Sequence, residues 1–237
     1  MNGVRALSLL AVLACSLALV ACSSGAASPA ATPTLTTLQT EHQIKQAVLQ
    51  PADLPAGFTQ DAARAITNAQ AAQARPDTQQ ALQQYADWGQ QMLYNVEYSA
   101  KPDPSQVFNA QIAQVTNSAT LFATSEGATK ALDYARNLPP DTVANFLVNE
   151  GSGTQISDTQ VTKEDFPAKG DESFAWRLSG KAKFDNGFTV NFVADAIFLR
   201  VGHIDGTIVT TALGAAPERD KVEAFVDTFV RRATSAQ

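Results

Sequence analysis

Residues 188–233 read FTVNFVADAIFLRVGHIDGTIVTTALGAAPERDKVEAFVDTFVRRA, and this stretch decides the fold. Phe188, Val190, Phe192, Ala194, Ala196 and Phe198 recur at every second position, which puts one apolar face on a long strand. The other face carries Val193, Ile197 and Leu199 toward one end, so that end is expected to be covered on both sides. A turn at Val201-Gly202-His203 leads to Ile204, Ile208 and Val209 in a further strand. Pro217 opens a final helix, where Val222, Phe225, Val226, Phe229 and Val230 form a single stripe. Glu218 and Asp220 stand at its start and Arg231 and Arg232 at its end, as the helix dipole prefers. Strands joined by tight turns, with a helix laid across a face, predict an α+β domain built on an antiparallel sheet flanked by helices, the C-terminal helix packed on the sheet.

Outward from there, Phe174, Trp176 and Leu178 alternate with Ser173, Ala175 and Arg177, a second strand. Asp185-Asn186-Gly187 closes a hairpin onto the long strand, because these residues tolerate positive φ. Ser125 to Asn137 reads as a helix with Ala128, Ala131, Leu132 and Ala135 inward, and Pro139-Pro140 restart a short helix through Val148 that Gly151 and Gly153 end. Val107 to Val115 and Ala119 to Ala123 read as two strands around Thr116-Asn117-Ser118, and Leu93 to Tyr98 as another, followed by a loop at Pro102 and Pro104. Asp77 to Gln91 is expected as a helix with Leu82, Tyr85, Gly89 and Met92 on one face. Ile44, Ala47 and Val48 mark a first short helix closed by Pro51, and Leu54-Pro55-Ala56-Gly57-Phe58 a turn into extended chain.

The N-terminus has a different character. Arg5 supplies a short cationic start, and Ala6 to Val20 is uncharged and rich in leucine and valine. The run is about 15 residues, short of the ~20 that span a bilayer core, and reads as an export signal. Leu19-Val20-Ala21-Cys22 resembles the lipobox of bacterial prolipoproteins. That resemblance implies cleavage before Cys22 and a diacylglyceryl group on its thiol, whose two chains suffice for stable anchoring. Val12-Leu13-Ala14-Cys15 has the same form, but Cys15 lies inside the apolar run, whereas Cys22 ends it and Ser23-Ser24-Gly25 follows. Ser23 to Thr37 is mostly Ser, Ala, Thr and Pro and is expected as a tether, with folded character from Gln39 to Gln43. The expected organisation is therefore a signal peptide at 1–21, a lipidated N-terminus and stalk at 22–39, and one extracytoplasmic domain at 40–237, held at the cell membrane by its lipid.

Composition narrows the function classes. The formal charge is −6, one unit more negative once Arg5 leaves with the leader, and no basic stripe exists to attract nucleic acid. Both cysteines of the chain lie in or at the end of the leader, which leaves the domain without thiolate chemistry or a disulfide. His42 and His203 are the only histidines and read as surface residues. No Gly-x-Ser-x-Gly elbow occurs, and Gly151-Ser152-Gly153 follows a helix, not the strand that a dinucleotide site needs. Glu164-Asp165 and Asp171-Glu172 are sequence neighbours flanking Lys163 and Lys169, and read as solvated loop charges; the calcium-loop spacing is missing. Neither a cofactor, a metal nor an enzymatic activity is expected.

Phe174, Trp176, Phe184, Phe188, Phe192 and Phe198 crowd one sheet region. They either form the core against the last helix or, at one end, line an apolar pocket, in which case Trp176, Phe188, Phe192 and Phe198 are the ligand-binding residues. The segments Asp53-Leu54-Pro55-Ala56-Gly57-Phe58, Ser125-Glu126-Gly127-Ala128, Gly170-Asp171-Glu172-Ser173-Phe174 and Phe198-Leu199-Arg200-Val201-Gly202-His203-Ile204 resemble those of bacterial cell-envelope lipoproteins with PsbP-like or kinase-sensor-like domains. The resemblance implies an antiparallel sheet flanked by helices and carries over no functional residue. The leading expectation is a non-enzymatic lipoprotein binding a hydrophobic small molecule or lipid. The alternative is an interaction, sensor or assembly module with an envelope protein as partner.

Overall fold

A computed structural model of the chain describes residues 35–100, 111–148, 155–185 and 187–237. The expected signal peptide at 1–21, Cys22, Pro102, Pro104 and the Gly151–Gly153 stretch lie outside these residues. The elements in chain order are α1 (Leu35–Ala47), a 3-10 turn (Pro51–Asp53), β1 (Phe58–Ile66), α2 (Asn68–Gln73), α3 (Thr78–Asp87), β2 (Gln90–Ala100), β3 (Ile112–Phe122), α4 (Ser125–Arg136), α5 (Pro140–Leu147), β4 (Gln155–Glu164), β5 (Glu172–Lys183), β6 (Thr189–Val201), β7 (Ile204–Leu213) and α6 (Arg219–Ser235). The strands form one seven-stranded sheet in the order β1-β2-β3-β7-β6-β5-β4. Every adjacent pair is antiparallel. The fold is α+β, as the C-terminal third predicts.

Helices cover both faces. On one, Ile44 and Ala47 of α1, Val48 just after it, and Val222, Phe225, Val226 and Phe229 of α6 pack on Val96, Tyr98, Ile197, Leu199, Ile204 and Ile208. On the other, Leu132 of α4 and Val143 and Leu147 of α5 pack on Trp176, Leu178, Phe192, Ala194, Ala196 and Phe198. Strand β6 is sandwiched between the two layers, which is why its sequence is apolar at both parities. The aromatic residues thus face α4 and α5, not the last helix. The sequence shows which residues share a strand face but not which helix covers that face.

Several boundaries differ from the sequence expectation. Helix α1 begins at Leu35, inside the stretch expected as tether, since each further helical residue costs little once a helix is nucleated. Helix α3 stops at Asp87; Gly89 turns the chain at φ 66°, and Met92 belongs to β2 and the α1–α6 core. From Ile112 on, the expected strands Val107–Val115 and Ala119–Ala123 are the single strand β3, while residues 107–110 lie outside the described residues. Thr116-Asn117-Ser118, turn-like by composition, runs straight through β3 because Asn117 is fully satisfied there: Leu49 N–H donates to its Oδ1 at 2.7 Å and its Nδ2 donates to Thr207 O at 3.1 Å. Strand β4 fills a stretch for which the sequence predicts no element, and Lys163 and Glu164, expected in a loop, end it. Its two apolar residues, Ile156 and Val161, are an odd number of positions apart, and a bulge at Asp158 (φ 53°) brings both onto the α5 face.

Gly206 on β7 lets α6 approach the sheet. A Cβ at this position would overlap ring atoms Cε1 and Cζ of the fully buried Phe229. Gly206→Ala, whose backbone conformation suits any residue, is therefore expected to lower the unfolding free energy by about 1–3 kcal/mol through overpacking. Thermal denaturation of the protein measures it.

Candidate functional site

The sheet face under α4 and α5 holds the sequence-predicted site. Trp176, Phe192 and Phe198 come together there and are 5%, 1% and 9% exposed. Phe198 stacks on Phe174 at 4.9 Å, nearly parallel, and lies 6.1 Å from Phe146 of α5. Lys163 Nζ sits 5.1 Å from the centre of the Trp176 ring. Phe188 does not join them. It lies in the β5–β6 hairpin just before β6, 43% exposed and 6.2 Å from Phe184. On the opposite, α6-covered face, a recess bordered by Phe166, Arg177, Asp195, Arg219 and Val222, with Trp176 at its edge, measures about 20 Å³, room for a water and not for a lipid. A larger open groove of about 380 Å³ lies elsewhere, between Leu38, His42, Gln43 and Gln46 of α1 and the C-terminal residues Ala236 and Gln237.

Farther along the sheet face under α4 and α5, the central strands become polar. Glu97 of β2 has no exposed surface. Asn95 Nδ2 donates to its Oε1 at 2.8 Å, Ser118 Oγ donates to Asn95 Oδ1 at 2.7 Å, and Arg64 Nη2 lies 3.7 Å from the same Oε1. The second oxygen, Oε2, has no hydrogen-bond partner among the described residues. Burial raises the Glu97 pKa above the ordinary carboxylate range, and Arg64 and the Asn95 hydrogen bond oppose that rise without cancelling it. A carboxyl in this state holds its proton more tightly than an exposed one. The sequence signal for Glu97 is only a charge between the apolar Val96 and Tyr98 in a strand.

A third group surrounds the start of β5. Arg136 of α4 donates to Glu172 at 2.5 Å and to Asp133 at 2.8 Å, with its guanidinium 5.0 Å from the Phe174 ring. Arg200 Nη1 donates to Asp171 Oδ2 at 2.9 Å and to Gly202 O at 3.2 Å, while Gly202 N–H donates to the same Asp171 oxygen at 2.7 Å. Asp205 lies directly across from Arg200 in the β6–β7 pairing.

Glu164 and Glu172 are therefore not freely solvated loop charges. Glu164 ends β4, 3.3 Å from Arg177, which in turn grips Asp195 through two hydrogen bonds of 2.6 and 2.8 Å. The Asp165 carbonyl accepts from Arg219 of α6. His42 shares a hydrogen bond with Gln46 on α1, and His203 stands in the β6–β7 turn, so the two histidines occupy separate elements. Among the described residues no group of three or more His, Cys, Asp or Glu side chains is placed to hold a metal ion. Among the same residues no helix is long and apolar enough to cross a membrane.

No protein-family model matches the chain, and no curated protein matches it either. Among solved structures, the extracellular domain of PknH from Mycobacterium tuberculosis is similar at a TM-score of 0.48 and 8% sequence identity, over 82% of this chain and 96% of that domain.

Proposed function

We propose that this protein is a non-enzymatic module tethered to the outer side of the cell membrane through Cys22, and that it works by surface contact with another envelope component. The observation that carries this reading is the closure of the aromatic cluster. Trp176, Phe192 and Phe198 are spent on packing α4 and α5 against the sheet, so the face expected to open for an apolar ligand is filled. The lipobox resemblance at Leu19–Cys22 supports the tether, and the acidic, cysteine-free domain is compatible with an oxidising exterior.

The second reading is a hydrophobic-ligand carrier using Trp176, Phe188, Phe192 and Phe198. The exposure of Phe188 favours it, since part of an apolar ring faces solvent just before β6. It requires α5 to lift away from Phe198 before any ligand of lipid size fits. Chemical crosslinking in intact cells distinguishes the module: a discrete adduct with one envelope protein is expected, and recovery of the monomer alone contradicts it.

A further inference from the structure

Arg200 stands at the centre of a charge row whose members do not pair in the simplest way. On β5, β6 and β7, Glu172 is opposite Arg200, and Arg200 is opposite Asp205. Directly opposed side chains on an antiparallel pair start with Cβ atoms about 4.5–5.5 Å apart, within easy reach of an arginine. Yet Arg200 points its Nη1 at Asp171, in the turn before β5, and at the Gly202 carbonyl. Asp205 Oδ1 and Arg200 Nε are both shut off from solvent and have no hydrogen-bond partner among the described residues.

The turn that Arg200 holds is a joint between layers. Asp171 N–H donates to Arg200 O at 2.8 Å, and Asp171 Oδ2 accepts from both Arg200 and Gly202. Lys169 of the same turn reaches Asp227 at 2.7 Å and Glu223 at 3.6 Å on α6. A change at Arg200 is therefore transmitted to the turn, and through Lys169 to the last helix.

We propose that Asp171 at the rim and Asp205 beneath it compete for Arg200, and that ionisation of Asp205 draws the guanidinium inward and loosens the 169–172 turn from the β6–β7 hairpin. Burial pushes the Asp205 carboxyl up to about 8; Arg200 opposes the rise and Glu172 adds to it. Below that pH the acid is neutral and Arg200 is free to rest on Asp171, which is the arrangement observed. The other charged groups on the neighbouring elements are already engaged. Arg136 of α4 is held by Glu172 and Asp133, and Lys130 of α4 by Glu126. Strand β3 presents only the uncharged Thr120 opposite Asp205, and the turn contributes His203.

The test is an NMR titration of the domain that follows the Asp205 carboxyl carbon, the Arg200 Nε and the protection of the Gly202 amide from exchange. All three are expected to change together between about pH 7 and 9, with Gly202 protection falling several-fold on the alkaline side. Asp205→Asn is expected to leave Arg200 and Gly202 in their acid-side state throughout. Asp171→Asn is expected to put Arg200 inward at neutral pH and to lower the pH at which Asp205 titrates. Titration of Asp205 in the ordinary carboxylate range overturns the proposal. So does a titrating Asp205 that leaves Arg200 and Gly202 unmoved, in either the unaltered protein or Asp171→Asn.

Discussion

Phe192→Ala is expected to lower the unfolding free energy by about 3–5 kcal/mol, whereas Phe188→Ala costs about 1 kcal/mol or less. The two residues belong to one apolar alternation, and sequence gives no reason to separate them. The structure does: Phe192 is 1% exposed among Trp176, Leu178 and Ala194, and Phe188 is 43% exposed beside the hairpin. Truncating Phe192 removes its own buried surface and leaves a cavity that β5, β6 and β7, hydrogen-bonded on both sides, cannot close by collapse. A residue that lined an open ligand site would behave differently, since its ring would already face empty or solvent-filled space. Chemical denaturation of the ligand-free domain, with m unchanged, reads the difference directly.

The second large effect concerns Glu97. Glu97→Gln is expected to stabilise the domain by about 1–3 kcal/mol at pH 7, because it keeps an acceptor for Asn95 Nδ2 while removing a charge that burial disfavours. The sign follows from proton binding. The Glu97 pKa is raised in the folded state, so the native protein holds a proton that the unfolded chain has lost, and stability falls as pH rises above the ordinary glutamate range. Asp205, raised to about 8, contributes a slope of the same sign over a window that reaches higher. The advantage of Glu97→Gln is therefore expected to shrink on acidification and to vanish below the ordinary glutamate pKa, where both forms are neutral. Unfolding measured from pH 4 to 8 checks it, and an advantage independent of pH would contradict it.

The C-terminal half was legible because its periodicity is unbroken. Phe192, Ala194, Ala196 and Phe198 mark one face of β6, Ile197 and Leu199 the other, and the α6 stripe is continuous from Val222 to Phe229. The misread segments share a physical cause, a local feature satisfied by distant chain. Asn117 is strand-compatible only because Leu49 and Thr207 take up its amide, and β4 is a strand only because β5 pairs with it across the Asp158 bulge. The aromatic cluster was visible, but its closure was not, since that depends on α4 and α5 arriving from 125–147 to cover it. The polar groups were the hardest part. Glu97, Asp205 and Arg200 look like ordinary surface charges until the strand register places them on a helix-covered face or opposite one another.

The most direct test of the central claim, a filled aromatic core on a lipid-tethered module, is native mass spectrometry of the protein released gently from its own membrane. The account predicts a chain beginning at Cys22 with covalent acyl chains and no further lipid mass. A non-covalent lipid retained in proportion to the protein and lost in Phe198→Ala would contradict it and restore the carrier reading. A chain still bearing residues 1–21 would contradict the tether itself.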